Sequence, residues 1–395
     1  MSWKLIPYRE AMEIALKNTP ALTETDEVPL EEAGGRVGSE DILSPLDVPP
    51  FPRSAMDGYA VRAEDTLNPP VLLTLKDTLE AGEVSSSRVE KGECIGVATG
   101  APLPPGADAV VMVENTRKDE GGVRIFKKVR KGENVIPRGE DILKGEKILQ
   151  KGDILTPQII GALAGVGKEK VRVYRKPRVR ISLTGGEFIP PGKPLPPGKV
   201  YDINSFTLRY IVRDNGGIPF VTPPLPDDPE VIKKSILEDE KNFDLLVMVG
   251  GSSVGEKDFV PRVVKEIGEV FFHGVSIKPG KPVLLGKVNN TLVLGIPGYP
   301  ASCFCVGYLF LKPILRKMAH LKEDTRKEEG ILAEEVSSPR GKLQFLTLRK
   351  EKELVYPVFK KSADITSVSR ATGFLTIPPE TTLLKKGERV EFYLF

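Results

Sequence analysis

Val179-Arg180-Ile181-Ser182-Leu183-Thr184-Gly185-Gly186-Glu187 and Leu245-Leu246-Val247-Met248-Val249-Gly250-Gly251-Ser252-Ser253-Val254-Gly255-Glu256-Lys257-Asp258 follow one plan: a short, mostly apolar run, a glycine pair, then acid. Runs of this kind, rich in branched side chains and closed by glycine, are predicted as buried strands of a parallel sheet. In an open α/β sheet, ligands bind beyond the carboxyl ends of the strands, where these loops lie. Glycine lets the backbone approach a ligand and turn its N–H groups toward oxyanions. Glu187 and Asp258 would repel bare phosphate. A divalent cation between the carboxylates and the phosphates reconciles the two.

Around these runs the pattern alternates. A helix is predicted over Ser205–Asp214 with Asn204 as its N-cap, then a strand at Ile218–Val221 and a helix at Pro229–Glu238. The second glycine loop leads into a helix at Phe259–Ile267, an extended segment Val270–Ile277, a hairpin around Asn289-Asn290 and a long helix from Ala301 to Lys317. Alternation of this kind predicts a parallel sheet with helices on both faces. Three further loops reach the same edge: Asp227-Asp228-Pro229, Lys278-Pro279-Gly280-Lys281-Pro282 and Ile296-Pro297-Gly298-Tyr299-Pro300. The lysines suit an oxyanion, and the helix after Pro300 favours an anion at its N-terminus. Taken singly, each acid reads equally as a turn former or cap, and each lysine as a solvated surface residue. Their convergence on one edge points to a ligand.

The remainder reads as β-rich. Tyr8 to Asn18 is predicted as an amphipathic helix. Short strands at Val71–Leu75, Cys94–Ala98, Ala109–Val113 and Val123–Phe126 predict a small all-β domain. Residues 138–176, with a helix at Pro157–Val166, are expected to pack back on the N-terminal segment. The charged stretch Lys322–Gly330 reads as a linker, and 331–395 as a small β-barrel with turns at Pro339–Gly341 and Lys386-Gly387. The expected domains are 1–48 with 138–176, 49–137, 177–325 and 326–395.

Composition excludes several classes. At 395 residues the chain suggests two to four domains. Lys+Arg 57 against Asp+Glu 54 gives a net charge of +3, and the basic stretch Lys168–Arg180 alternates with valine and isoleucine. That stretch reads as the solvated side of strands, so no nucleic-acid partner is expected. The apolar run Cys303–Leu311 falls well short of the roughly 18 residues of a membrane span. Met1–Pro7 lacks a signal-peptide core, so a cytoplasmic protein without membrane contact is expected. Cys94, Cys303 and Cys305 form no disulfide framework, and two histidines, His273 and His320, exclude a histidine-rich metal site. Gly161 to Lys168 has the wrong spacing for a phosphate loop, with Glu169 where Ser or Thr belongs, and no GxGxxG follows a strand.

Six motifs carry a resemblance: Ser54-Ala55-Met56-Asp57-Gly58-Tyr59-Ala60, Ala98-Thr99-Gly100-Ala101-Pro102-Leu103-Pro104, Gly139-Glu140-Asp141-Ile142, Thr184-Gly185-x-Glu187, Gly250-Gly251-x-Ser253-Val254-Gly255-Glu256-x-Asp258 and Ile277-Lys278-Pro279-Gly280-Lys281-Pro282. In this order they resemble the molybdopterin molybdenumtransferase family. The resemblance implies an extended linker domain, an inserted β domain, an α/β molybdopterin-binding domain and a C-terminal β-barrel. It also implies a homodimer whose site lies in a cleft between subunits. The implied reaction places the metal of molybdate or tungstate on adenylylated molybdopterin, with Mg²⁺-dependent hydrolysis of the phosphoanhydride and release of AMP. Transient contact with the upstream adenylyltransferase follows from the same resemblance. The alternative is a non-catalytic homologue that binds molybdopterin without releasing AMP.

Carried over by position, Glu187, Asp227 and Asp258 match the acids around pterin and cation. Asp57, Thr99 and Asp141 match a face supplied by the other subunit. Lys278 and Ser367 match anion-contacting positions, and Asp57, Thr99, Glu187, Asp258 and Lys278 are the residues expected to carry the chemistry. Gly185, Gly250, Gly251, Ser253, Lys281 and the turn Pro297, Gly298, Tyr299 and Pro300 complete the substrate pocket. The chain departs from the family in three places: Gly186 replaces an acid, Tyr299 an asparagine, and Gly274 a lysine.

Overall fold

The computed structural model describes residues 5–250, 259–324, 326–358 and 365–395, with Ser367 described by its backbone alone. The chain forms two compact units, Met1–Asp26 with Tyr174–Phe395, and Glu27–Val173.

In the first unit, six strands form a sheet in the order Ile218–Val221, Arg178–Leu183, Leu245–Val249, Thr291–Ile296, Leu284–Val288 and Glu269–His273. The first four are mutually parallel. Leu284–Val288 runs against both of its neighbours, so Glu269–His273 points the same way as the first four. The register aligns Leu183 with Val249 and Val249 with Ile296, so three chains leave the sheet side by side at one edge.

The run Leu245–Val249 is buried throughout because both faces are covered. Val179, Ile181, Leu183, Val247 and Val249 pack with Leu208 and Val212 of the helix Asn204–Asp214, and with Cys303, Val306 and Phe310. On the opposite face, Leu246, Met248 and Val293 meet Ile232 and Ile236 of the helix Pro229–Asp239, and Val260 and Val264 of Phe259–Ile267. Ala11 and Ala15 of the N-terminal helix Tyr8–Asn18 join the first of these cores.

Four local expectations are corrected. The long helix is Pro300–Val306 and Lys312–Met318 joined by a wider π turn at Gly307–Leu311, just before Pro313, which has no N–H to offer the carbonyl four residues back. Val270–Ile277 is not one element: Glu269–His273 edges the α/β sheet, while Ile277–Lys278 pairs with Leu343–Glu351. The expected linker Lys322–Gly330 contains the start of the strand Lys327–Leu332. Arg180 is not on a solvated strand face. It is buried, and donates to the Ser235 carbonyl at 2.9 Å and to the Asp239 carboxylate.

Five C-terminal strands close on themselves. Leu343–Glu351, Leu354–Pro357, Lys327–Leu332, Arg389–Leu394 and Gly373–Ile377 pair in sequence, and Gly373–Ile377 pairs back to Leu343–Glu351. Leu346, Leu348, Val355, Ile377 and Phe392 fill this barrel.

The second unit carries a six-stranded sheet ordered Ala109–Met112, Gly58–Val61, Glu93–Val97, Val71–Leu79, Gly122–Ile125 and Thr116–Asp119. Gly58 is required there, since a Cβ would stand 2.0 Å from the Val111 carbonyl oxygen. A separate core joins Val28, Ala33 and Ile42 to Leu149, Leu155, Leu163 and Val173. Among the described residues, no helix is long and apolar enough to cross a membrane.

Candidate functional site

Because Leu183, Val249 and Ile296 are in register, the residues after them form a continuous rim. The Thr184 N–H donates to the Val249 carbonyl at 2.8 Å, the Gly185 N–H to Leu225 at 3.0 Å and the Gly250 N–H to Ile296 at 3.0 Å. These bonds extend the sheet beyond its strands. They also correct the simplest phosphate-loop reading, because the N–H groups of Gly185 and Gly250 are already committed to the sheet.

The glycines serve close approach instead. Gly185 has φ +121°, and a Cβ on it would stand 2.3 Å from Oε2 of Glu187, so the Glu187 carboxylate lies over a bare backbone. Gly250 has φ +98°, and its Cβ would lie 2.8 Å from the Thr184 carbonyl and 3.0 Å from Thr184 Oγ1. A Cβ on Gly298 would stand 3.6 Å from the Gly250 Cα. Thr184, Gly250 and Gly298 are thus packed in a row.

Two side chains that the sequence pattern did not assign to the site lie on this row. Among the described residues, the Thr184 hydroxyl is buried without a hydrogen-bond partner, and so is Oδ1 of Asn204. Asn204 was expected as a helix cap. It is instead the first helical residue, and its Nδ2 donates to the Gly298 carbonyl at 2.7 Å. Asp202 accepts from the Ser205 N–H at 3.0 Å and takes the capping role. Buried, unpaired oxygens are costly, about 1–3 kcal/mol each, and mark places where a bound group would pair with the protein. Local sequence signals the cap, not the tertiary bond, so Asn204 was legible only as a helix start. Lys199 was also missed; its Nζ donates to the Gly186 carbonyl at 2.7 Å.

The neighbouring acids divide in role. Oδ1 of Asp228 accepts from the N–H groups of Glu230 at 2.8 Å and Val231 at 3.3 Å, which makes Asp228 the cap of its helix. Asp227, one residue earlier, is exposed on the loop that meets Gly185 through Leu225. Lys278 and Lys281 are exposed on a turn docked on the helix Pro300–Val306: Sγ of Cys305 donates to the Pro279 carbonyl at 3.2 Å, and Gly280 abuts Val306. Pro297 is buried, Pro300 begins that helix, and Tyr299 between them is 64% exposed. The short helix Ile365–Ser369, which includes Ser367, packs against Pro300–Val306. Gly251, Ser253 and Asp258 lie outside the described residues. Among the described residues, no three His, Cys, Asp or Glu side chains form a metal-holding group.

In the second unit, the backbone N–H and the hydroxyl of Thr99 both donate to Oδ1 of Asp57 at 2.7 Å. These two bonds, the backbone one foremost, hold the Asp57 carboxyl below its ordinary range. The geometry follows from the turn around Asp57, where Ser54 Oγ donates to the Met56 carbonyl at 2.6 Å and the Gly100 N–H to the Ser54 carbonyl at 2.9 Å. Asp141 is exposed on a different turn, where its N–H donates to the Val48 carbonyl at 3.0 Å. Burial pushes the Cys94 thiol up to about 12 and raises Cys303 and Cys305 as well, so these thiols are core groups and not nucleophiles.

A mostly parallel sheet with a close-packed glycine rim, an adjoining closed barrel and an acid–threonine turn define a molybdopterin-type protein, and three family descriptions cover the chain accordingly. Residues 6–167 match the MoeA N-terminal region (domain I and II), 180–317 a probable molybdopterin binding domain, and 329–395 the MoeA C-terminal region (domain IV). The Bacillus subtilis molybdopterin molybdenumtransferase is 33% identical over 94% of this chain and 90% of its own length. The Haemophilus influenzae molybdopterin molybdenumtransferase is 36% identical over 78% of this chain and 76% of its own. A solved molybdopterin biosynthesis MoeA protein from Pyrococcus horikosii is similar with a TM-score of 0.88 and 37% identity, covering 99% of each chain. The chain belongs to the molybdopterin molybdenumtransferase family.

Proposed function

We propose that this protein inserts molybdenum from molybdate, or tungsten from tungstate, into adenylylated molybdopterin, with hydrolysis of the phosphoanhydride and release of AMP. The observation that carries the reading is the rim of Thr184, Gly185, Gly250 and Gly298, where bare backbone, the Glu187 carboxylate and two unpaired buried oxygens share one sheet edge. Membership of an enzyme family named for this transfer favours it over simple binding.

Glu187 and Asp227 are hard oxygen donors on adjacent loops, which suits Mg²⁺, and Asp258 is the proposed third ligand. When bound, Mg²⁺ would supply charge neutralisation for the phosphoanhydride. The chain's own groups do the rest. Gly185, Gly250 and Gly298 admit the substrate close to the backbone, Lys278 and Lys281 hold its anionic groups, and the tied loops fix its orientation, so much of the rate comes from positioning. Asp57, kept ionised by Thr99, is the second acidic element. We infer a homodimer as the working form, with the adenylylated substrate delivered by transient contact with an upstream adenylyltransferase. AMP release from adenylylated molybdopterin, measured with Mg²⁺ and either molybdate or tungstate, tests this function.

A further inference from the structure

Tyr299 stands at the N-terminus of the helix Pro300–Val306. It is 64% exposed. Among the described residues, its ring meets no other ring or cation and its hydroxyl makes no hydrogen bond. Tyr210 is comparably exposed, at 60%, but Arg213 lies over its ring at 6.0 Å.

The Tyr299 backbone, by contrast, is held firmly. Pro297 and Pro300 restrict φ nearby. Asn204 binds the preceding carbonyl at 2.7 Å, and the Tyr299 carbonyl accepts from the Cys303 N–H at 2.8 Å. A rigid turn therefore presents a bare aromatic ring beside Gly298, at the end of the row that holds the unpaired oxygens of Thr184 and Asn204. A tyrosine ring has few rotatable bonds and loses little entropy when it stacks. Every fused heterocycle offers it a π-face.

We propose that Tyr299 is the stacking platform for the fused-ring heterocycle of the substrate, the pterin or the adenine; this rests on the function proposed above. Stacking uses the ring face and not the hydroxyl.

The test titrates the full-length protein with AMP and, separately, with a free pterin, reading affinity by calorimetry for wild type, Tyr299→Phe and Tyr299→Leu. The expected result is about tenfold or greater weakening of AMP, pterin or both in Tyr299→Leu, with Tyr299→Phe within about twofold of wild type. The ligand that weakens identifies the heterocycle. Wild-type affinity for both ligands in Tyr299→Leu, or equal weakening in Tyr299→Phe, overturns the proposal. If the wild type meanwhile releases AMP from adenylylated molybdopterin, the function survives that failure. A wild type that binds neither ligand overturns the stacking proposal, and the function is then decided separately by AMP release from adenylylated molybdopterin.

Discussion

Asn204 donates from Nδ2 to the Gly298 carbonyl at 2.7 Å, tying the first turn of the helix Asn204–Asp214 to the loop that carries Tyr299. One neutral hydrogen bond contributes about 1 kcal/mol to stability, so its loss should lower the melting temperature by only about 2–4 °C. Its effect on positioning is larger. Asn204→Ala should reduce AMP release about tenfold or more, and Asn204→Asp further, because a carboxylate would face the Gly298 carbonyl. Steady-state kinetics beside thermal melts check this; a normal rate in Asn204→Ala would remove the tie from the mechanism.

Two glycine substitutions should fail differently. A Cβ on Gly58 meets a fixed backbone oxygen of Val111 at 2.0 Å, so Gly58→Ala should cost about 3 kcal/mol or more and disrupt its sheet. A Cβ on Gly185 meets the movable end of Glu187. Gly185→Ala carries about 1–2 kcal/mol of strain at φ +121°, leaves the fold standing, and should lower AMP release at least tenfold by displacing that carboxylate. Circular dichroism and turnover on both variants separate the two outcomes.

Asp57 titrates below an ordinary carboxyl because the Thr99 N–H and then the Thr99 hydroxyl favour its charged form. A lowered folded pKa stabilises above the unfolded value and is lost as pH falls through the folded one. Asp57 is therefore ionised throughout the neutral range and should add no inflection to the rate profile above about pH 5. Thr99→Val keeps the stronger backbone bond, so its Asp57 should titrate above wild type yet still below an unperturbed aspartate, read by NMR of labelled carboxyl groups. An unchanged titration would show that the hydroxyl contributes nothing.

Asp324 anchors the chain between helix and barrel, accepting from Arg326 at 2.9 Å and Lys312 at 2.8 Å. Arg326 chiefly, and Lys312 next among its favourable partners, hold its carboxyl far below the usual range. This stabilisation is complete above the unfolded value near 3.8 and is lost as pH falls below it. Asp324→Asn should cost on the order of 2 kcal/mol at pH 7, with the gap to wild type narrowing below about pH 4. Denaturant melts at several pH values check it; a constant gap would contradict the assignment.

The centre of the sheet was legible because Arg178–Leu183 and Leu245–Val249 are short, almost wholly buried runs that lead into glycine pairs, a pattern that needs no tertiary information. What escaped were features set by distant partners. Arg180 belongs to an alternating basic stretch, but Ser235 and Asp239 give it a buried place. Ile277–Lys278 was drawn out of its segment by Leu343 and Gln344, more than sixty residues away. Glu187 and Asp57 were readable as acids in distinctive motifs. The buried oxygens of Thr184 and Asn204 were not, since an unpaired atom is defined by what surrounds it in space.

The most direct test of the central claim is AMP release by the full-length protein given adenylylated molybdopterin, Mg²⁺ and molybdate or tungstate, with a chelator control. The account predicts AMP release with at least one of the two oxyanions, abolished by the chelator and restored by Mg²⁺. Unchanged substrate with a folded protein, or AMP release indifferent to chelator, would contradict it.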